Sequence, residues 1–288
     1  MDAVVDRLMN GAISGNDMEN EQPGSALATL LSTKELSDEQ IRVHAKSLLL
    51  LGFATTASGI KVCVGLEMIH YVELIQPLQW ALVELAMRPQ AQDRLRKELM
   101  TFATTDPSYE DLTSLALPYL DAVVREALRL HPILGDSPRI ALEDDILPLA
   151  SPIRTASGDL IDSLPIRKGT SVTVSLYYTN KAKSIWGNDA AEFKPERWLD
   201  GGHIPDTATQ YPGFHHTMVF SDGPRACLGK GFALAEIKIV LSLLVRKFIF
   251  SPRDGKHTQY EKAMFGPHPK VAGEPGGRLP IRVTRVEA

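Results

Sequence analysis

The stretch "MVFSDGPRACLGKGFALAEIKIVL", residues 218–241, decides how the chain is read. It carries Cys227, one of only two cysteines, on a loop punctuated by Gly223 and Gly229 and followed by an apolar-periodic run. That run predicts a helix of about twenty residues starting after Gly229. A helix N-terminus favours negative charge and lowers the pKa of a nearby thiol, which turns a cysteine into a soft metal ligand. Arg225, two residues earlier, has the charge and reach to engage a carboxylate. Taken singly, a lone cysteine at a helix start is more often a buried structural thiol. The residues around Cys227 have to decide between the two readings.

Working upstream, "LPIRKGTSVTVSL" (164–176) and "PRIALEDDILPL" (138–149) read as short strands with turns, and "LYYTNKAKSIWG" (176–187) as a helix. Residues 187–219 are rich in Gly, Pro, Asn and Asp and show no period, so a long irregular segment is expected. "LPYLDAVVREALRLHP" places Leu120, Val123, Val124, Ala127 and Leu128 on one helical face and stops before Pro132. "QWALVELAMRPQAQDRLRKELMTF" predicts two helices split at Pro89, because proline suits a first helical turn. Ser37 and Gln40 stand at capping-box spacing ahead of another long helix. Downstream, "LPIRVTRV" near the end is a strand. The chain is therefore expected to be mainly α with small β sheets.

With 288 residues, 44% hydrophobic and 23% charged, the chain has the composition of a soluble globular protein and can bury a sizeable core. A net charge of −4 and the lack of any Lys/Arg run argue against a nucleic-acid partner. Cys63 and Cys227 make no disulfide framework and sit in no zinc-type cluster. The most apolar window, residues 47–60 between Lys46 and Lys61, has fourteen residues, too few to span a bilayer, and reads as a buried helix.

The loop "FSDGPRACLGKGFA" resembles, position for position, the haem-binding loop of the cytochrome P450 family, with Phe220, Gly223, Arg225, Cys227, Gly229 and Ala233 in the places that pattern specifies. One thiolate is enough for haem iron, because the porphyrin fills four other positions. The resemblance implies haem b (iron protoporphyrin) with Cys227 as axial ligand, Phe220 packed beside it, Gly223 and Gly229 letting the backbone come close, and Arg225 on a propionate. Arg139 in "SPRIA" stands where the family places a second propionate-binding arginine; as a residue it reads equally as an exposed strand arginine. His131 is expected to face the propionates as well.

Glu126 and Arg129 in "REALRLHP", with Arg197 in "FKPERW", look like the family's buried Glu–Arg–Arg cluster. Taken alone, Glu126 and Arg129 lie at i and i+3, where a solvated ion pair is common. "LGFATTASG" resembles the family's central helix, which implies that Thr55 hydrogen-bonds dioxygen. A mid-helix threonine bonding its own backbone is the other reading. Ala54 departs from the family's acidic residue there. The implied activity is a haem-thiolate monooxygenase inserting one oxygen atom of dioxygen into a small lipophilic substrate. No strand–GxGxxG–helix unit is present, so electrons are expected from a separate NADPH-dependent flavoprotein reductase.

The resemblance covers about residues 27–285 and corresponds to the C-terminal half of a family member, a cytochrome P450-like fold truncated at the N-terminus. Residues 1–36 are expected to be a polar N-terminal segment and 37–288 the haem-binding part. Residues 59–77 interrupt the family pattern, which resumes at "QWALVELAMRP", and read as an insertion with the character of a retained intron. Family members are commonly anchored to the endoplasmic reticulum by an N-terminal helix that this sequence is expected to lack. A non-catalytic haem-binding fragment is the alternative function.

Overall fold

A computed structural model describes residues 36–47, 75–102, 105–114, 116–253, 258–263, 266–271, 279 and 281–286. The chain divides into two compact units, Met1–Ile75 and Gln76–Ala288. In the first, residues 38–47 form helix α1. The N–H of Ser37 donates to Gln40 Oε1 (2.9 Å) and the N–H of Gln40 donates to Ser37 Oγ (3.3 Å). This reciprocal pair satisfies donors that a first helical turn leaves without partners. Thr55, Gly52, Ala54 and Cys63 lie outside the described residues, as does all of the 59–77 segment before Ile75.

The second unit opens with α2 (Ile75–Ala86) and α3 (Pro89–Leu99), separated as the proline requires, with Pro89 in the first turn of α3. A short 3-10 turn (Met100–Phe102) and α4 (Tyr109–Thr113) lead to α5 (Pro118–Leu130). All five residues of the expected apolar face of α5 are buried, and so are Tyr119, Ala122, Glu126, Arg129 and Leu130. The helix is enclosed almost all round. Its N-terminus has Leu117 at the cap position, which offers no side-chain acceptor. Glu98 of α3 supplies one instead, its two carboxylate oxygens each accepting at 2.8 Å from the N–H groups of Tyr119 and Leu120. A carboxylate is also the charge that a helix N-terminus favours.

Strands β1 (Asp136–Ile140) and β4 (Ser171–Ser175) pair antiparallel and enclose the hairpin of β2 (Asp145–Arg154) and β3 (Leu160–Ile166). The helix expected over 176–187 is instead two single turns, α6 (Leu176–Thr179) and α7 (Lys183–Trp186). Between them the backbone is extended at Ala182 (φ −66°, ψ 127°), and the carbonyl of Asn180 accepts from Arg129 Nη1 at 2.7 Å. The segment that follows is irregular apart from a 3-10 turn (Pro195–Trp198) and α8 (Asp206–Thr209). Around it Ala182, Ile185, Trp186, Ala190 and Ala208 form a small apolar cluster.

Helix α9 (Lys230–Lys247) starts after Gly229, its N-cap, and runs directly into β5 (Phe248–Pro252). Strand β5 pairs antiparallel with β8 (Ile281–Arg285), and β6 (Thr258–Ala263) with β7 (Gly266–Val271). The join between α9 and β5 is held by α3. Gln92 donates to the carbonyl of Phe250 (2.8 Å) and accepts its N–H (2.9 Å). Arg96 donates to the carbonyls of Val245 (3.0 Å) and Phe248 (2.9 Å), which a helix C-terminus leaves open. Among the described residues the fold is helices with two-stranded sheets, and no helix is long and apolar enough to cross a membrane.

Candidate functional site

Helix α5 presents Glu126 and Arg129 one turn apart, and both side chains are fully buried. Arg129 spends all five of its N–H donors. Nε and Nη2 fork onto Glu126 (2.9 and 2.8 Å), Nη1 donates to the carbonyls of Asn180 and Ala190 (2.7 Å each), and Nη2 reaches Glu192 O (3.1 Å). Glu126 also accepts from Arg197 Nε (3.1 Å), Trp198 Nε1 (2.9 Å) and the N–H of Lys194 (3.0 Å). Arg197 in turn lies 3.4 Å from Asp189. The guanidinium of Arg129 stands 4.9 Å over the Trp186 ring.

These bonds supply what the irregular 180–198 backbone lacks. Buried carbonyls outside helix or sheet need partners, and here an arginine provides three of them. The structure thus brings Glu126, Arg129 and Arg197 together as a buried knot of one carboxylate between two guanidiniums, with Asp189 as the second carboxylate on Arg197. Trp198 and Lys194 belong to it too. Sequence reading missed both, although the step from Arg197 to Trp198 in "PERW" was visible.

The cysteine loop follows Phe220. Ser221 (φ 60°) and Gly223 (φ 64°) both take left-handed conformations, and a 3-10 turn spans Gly223–Arg225. The N–H of Cys227 donates to the carbonyl of Phe220 at 2.7 Å, closing the loop. Cys227 is a free, exposed thiol just ahead of α9. Phe220 is buried and meets Phe214 edge to face at 5.3 Å. Gly223 is used for its positive φ, which L residues adopt at a cost. Arg225 is exposed, and no bond is recorded for it among the described residues.

The donor set here is one thiol. Among the described residues no group of three or more His, Cys, Asp or Glu side chains could hold a metal ion. A metal bound at Cys227 must therefore bring its own remaining donors. Leu228 and Phe232, 83% and 61% exposed, follow the thiol in sequence and offer apolar surface. A flat, largely apolar macrocycle with anionic edges, such as haem, fits a thiolate, two apolar side chains and the arginine.

Arg139 and His131, both expected at the propionates, differ in exposure. Arg139 is exposed on β1 and its Nη1 donates to Ser137 Oγ and Pro138 O of its own strand, both at 2.8 Å. His131 does not face outward. It is buried, stacks on Trp80 (4.1 Å, 3°), and its Nε2–H donates to Glu84 Oε1 at 2.8 Å. Burial lowers the His131 pKa against the pull of Glu84, so the ring is neutral. Burial opposes ionisation of Glu84, but the His131 hydrogen bond and the neighbouring Arg88 hold its carboxyl below the usual range.

A second polar chain links α9, α5 and the loop before Phe220. Lys238, buried on α9, reaches Asp121 Oδ1 (2.7 Å) and Leu112 O (2.7 Å). Asp121 pairs with Arg125 one turn along α5. Arg125 Nη1 lies 3.3 Å from His215 Nδ1. An arginine only donates, so that nitrogen must be the unprotonated acceptor. His215 (φ 48°) and His216 (φ 62°) are consecutive left-handed residues, a strain of roughly 1–3 kcal/mol each. At Gly213 (φ 95°) an added Cβ would lie 2.5 Å from Thr217 O, so the turn tolerates no side chain there.

Burial and the charge of Arg125, with His216 and Lys230, outweigh Asp121 and lower the His215 pKa from its ordinary 6.5 to about 4. Between those values the unfolded chain binds a proton that the folded chain refuses. The resulting stability is complete above about pH 6.5 and is lost as pH falls towards about 4. His215→Asn keeps an acceptor for Arg125 and cannot titrate. Its denaturant midpoint should therefore fall less than the wild-type midpoint between about pH 7 and about pH 5; equal falls would contradict the assignment.

Residues 74–272 match the family described as Cytochrome P450. Among curated proteins, the chain is 42% identical over 255 residues to cytochrome P450 monooxygenase claW of Ampulloclitocybe clavipes, covering 88% of this chain and 43% of that protein. It is 44% identical over 261 residues to monooxygenase claO of the same fungus, covering 88% and 44%. It is 34% identical over 288 residues to cytochrome P450 monooxygenase 205 of Postia placenta, covering 96% and 49%. The chain spans less than half the length of these relatives.

Proposed function

The chain belongs to the cytochrome P450 family, and we propose that it is the haem-thiolate part of a monooxygenase, with Cys227 as the axial ligand of haem b. The observation that carries this reading is the exposed Cys227 thiol on a closed loop at the start of α9. When bound, the haem supplies transfer of one oxygen atom from dioxygen to a small lipophilic substrate, with electrons from an NADPH-dependent flavoprotein reductase.

This chain's own residues do the rest. Cys227 stands just ahead of the N-terminus of α9, with its thiol exposed. The first N–H of that turn, from Lys230, donates to the Cys227 carbonyl at 3.4 Å, and the N–H groups that follow it can serve the sulfur. Arg225 offers a cation to a propionate, and Arg139, of which only Nη1 is engaged by its own strand, keeps Nε and Nη2 for a second. Phe220 walls the sulfur from the protein side. Gly223 and Gly229 carry no side chain in the way of the macrocycle; a Cβ on either would meet nothing within 4 Å. Glu126, Arg129 and Arg197 act at a distance, fixing the irregular segment that leads into the loop. Thr55, through the resemblance alone, is assigned to dioxygen.

The second reading is a chain that binds haem without turnover, and Ala54 in the family's acidic position favours it. Purified chain loaded with haem and supplied with a flavoprotein reductase separates the two. Substrate-dependent NADPH consumption with stoichiometric oxygenated product supports the monooxygenase. Haem uptake without product supports the second reading.

A further inference from the structure

The path from α9 and α5 to Cys227 runs through His215. Lys238 and Asp121 fix Arg125, and Arg125 reaches His215 Nδ1. His215 meets the edge of Phe214 at 4.4 Å and of Trp198 at 6.2 Å. Phe214 meets Phe220 at 5.3 Å, and the carbonyl of Phe220 accepts the N–H of Cys227 at 2.7 Å. The link holds a turn that the backbone alone disfavours, since His215 and His216 are both left-handed.

We propose that His215, held by Arg125, is a positioning residue for the Cys227 thiolate: it locks the turn that sets Phe214 against Phe220 and so the height of the cysteine loop. Without the Arg125 bond the turn can relax, Phe214 is released, and Phe220 is free to carry the Cys227 backbone with it. His215 does not touch the sulfur. It acts as outer-shell partners of metal ligands do, by fixing where the ligand stands. The inference rests on the haem-thiolate reading of Cys227.

The test compares two variants that both tolerate a positive φ, His215→Gly and His215→Asn, of which only asparagine can accept from Arg125. Each full chain is expressed with haem supplied, reduced and exposed to carbon monoxide. The share of red-shifted, thiolate-type Soret absorbance is compared with the unshifted share, and folded fraction is followed by far-ultraviolet circular dichroism. The expected result is an approximately tenfold fall in the shifted-to-unshifted ratio for His215→Gly at unchanged folded fraction, with His215→Asn within about twofold of wild type. An unchanged ratio in His215→Gly overturns the proposal. So does a fall that merely follows loss of folded chain, or a failure of asparagine to restore the ratio. If wild type shows the shifted band in any of those cases, only this inference falls. If wild type shows none, the haem-thiolate reading and this inference fall together.

Discussion

Arg129→Ala is expected to destabilise the chain by about 3–5 kcal/mol, a large share of the ~5–15 kcal/mol that holds a typical domain together. The reason is what the substitution leaves behind. Glu126 loses a bidentate partner while fully buried, and the carbonyls of Asn180, Ala190 and Glu192 lose their donor. Arg129→Lys should recover little, because an ammonium has three donors and no planar fork, against five bonds to replace. Denaturant unfolding with fixed slope measures the loss. A solvated pair at this spacing would cost only about 0–1 kcal/mol. A value in that range for Arg129→Ala would contradict the buried knot described above.

Cys227→Ala is the opposite kind of change. Its thiol is exposed, and its two backbone bonds, from its own N–H to Phe220 O and from the Lys230 N–H to its carbonyl, survive in alanine. Stability should shift within about 0.5 kcal/mol, as for an ordinary surface substitution. The spectroscopic effect should be total, because no other described thiol is at hand to ligate the iron. Haem-loaded Cys227→Ala should have lost the thiolate signature while keeping wild-type circular dichroism. Cys63→Ala should leave both unchanged. A thiolate signature persisting in Cys227→Ala would move the ligand elsewhere.

The local rules of the chain were legible in its sequence. Pro89 announces the break between α2 and α3, Ser37 and Gln40 the cap of α1, and Gly229 the start of α9. Each is a signal written within one helical turn. The expectation of one helix over 176–187 fails at Ala182, which is extended, beside an Asn180 carbonyl that bonds a residue 51 positions away. His131 lies inside, on Trp80 and Glu84, for the same kind of reason: its partner is 47 positions distant. Glu98 capping α5 and Arg125 reaching His215 are equally long-range pairs that leave no periodicity. The hairpin of β6 and β7 also went unread, its strands carrying two prolines, Pro267 and Pro269, that argue against sheet. At the site, the resemblance points to Cys227 and to Glu126, Arg129 and Arg197, and the bonds that join the last three appear only in three dimensions.

The central claim is one bond, from the Cys227 sulfur to haem iron. The reduced, carbon-monoxide-bound absorption spectrum of the purified wild-type chain, expressed with haem supplied, tests it most directly. A strongly red-shifted Soret band is expected. A colourless chain, or an unshifted band of the histidine-ligated type, would contradict it.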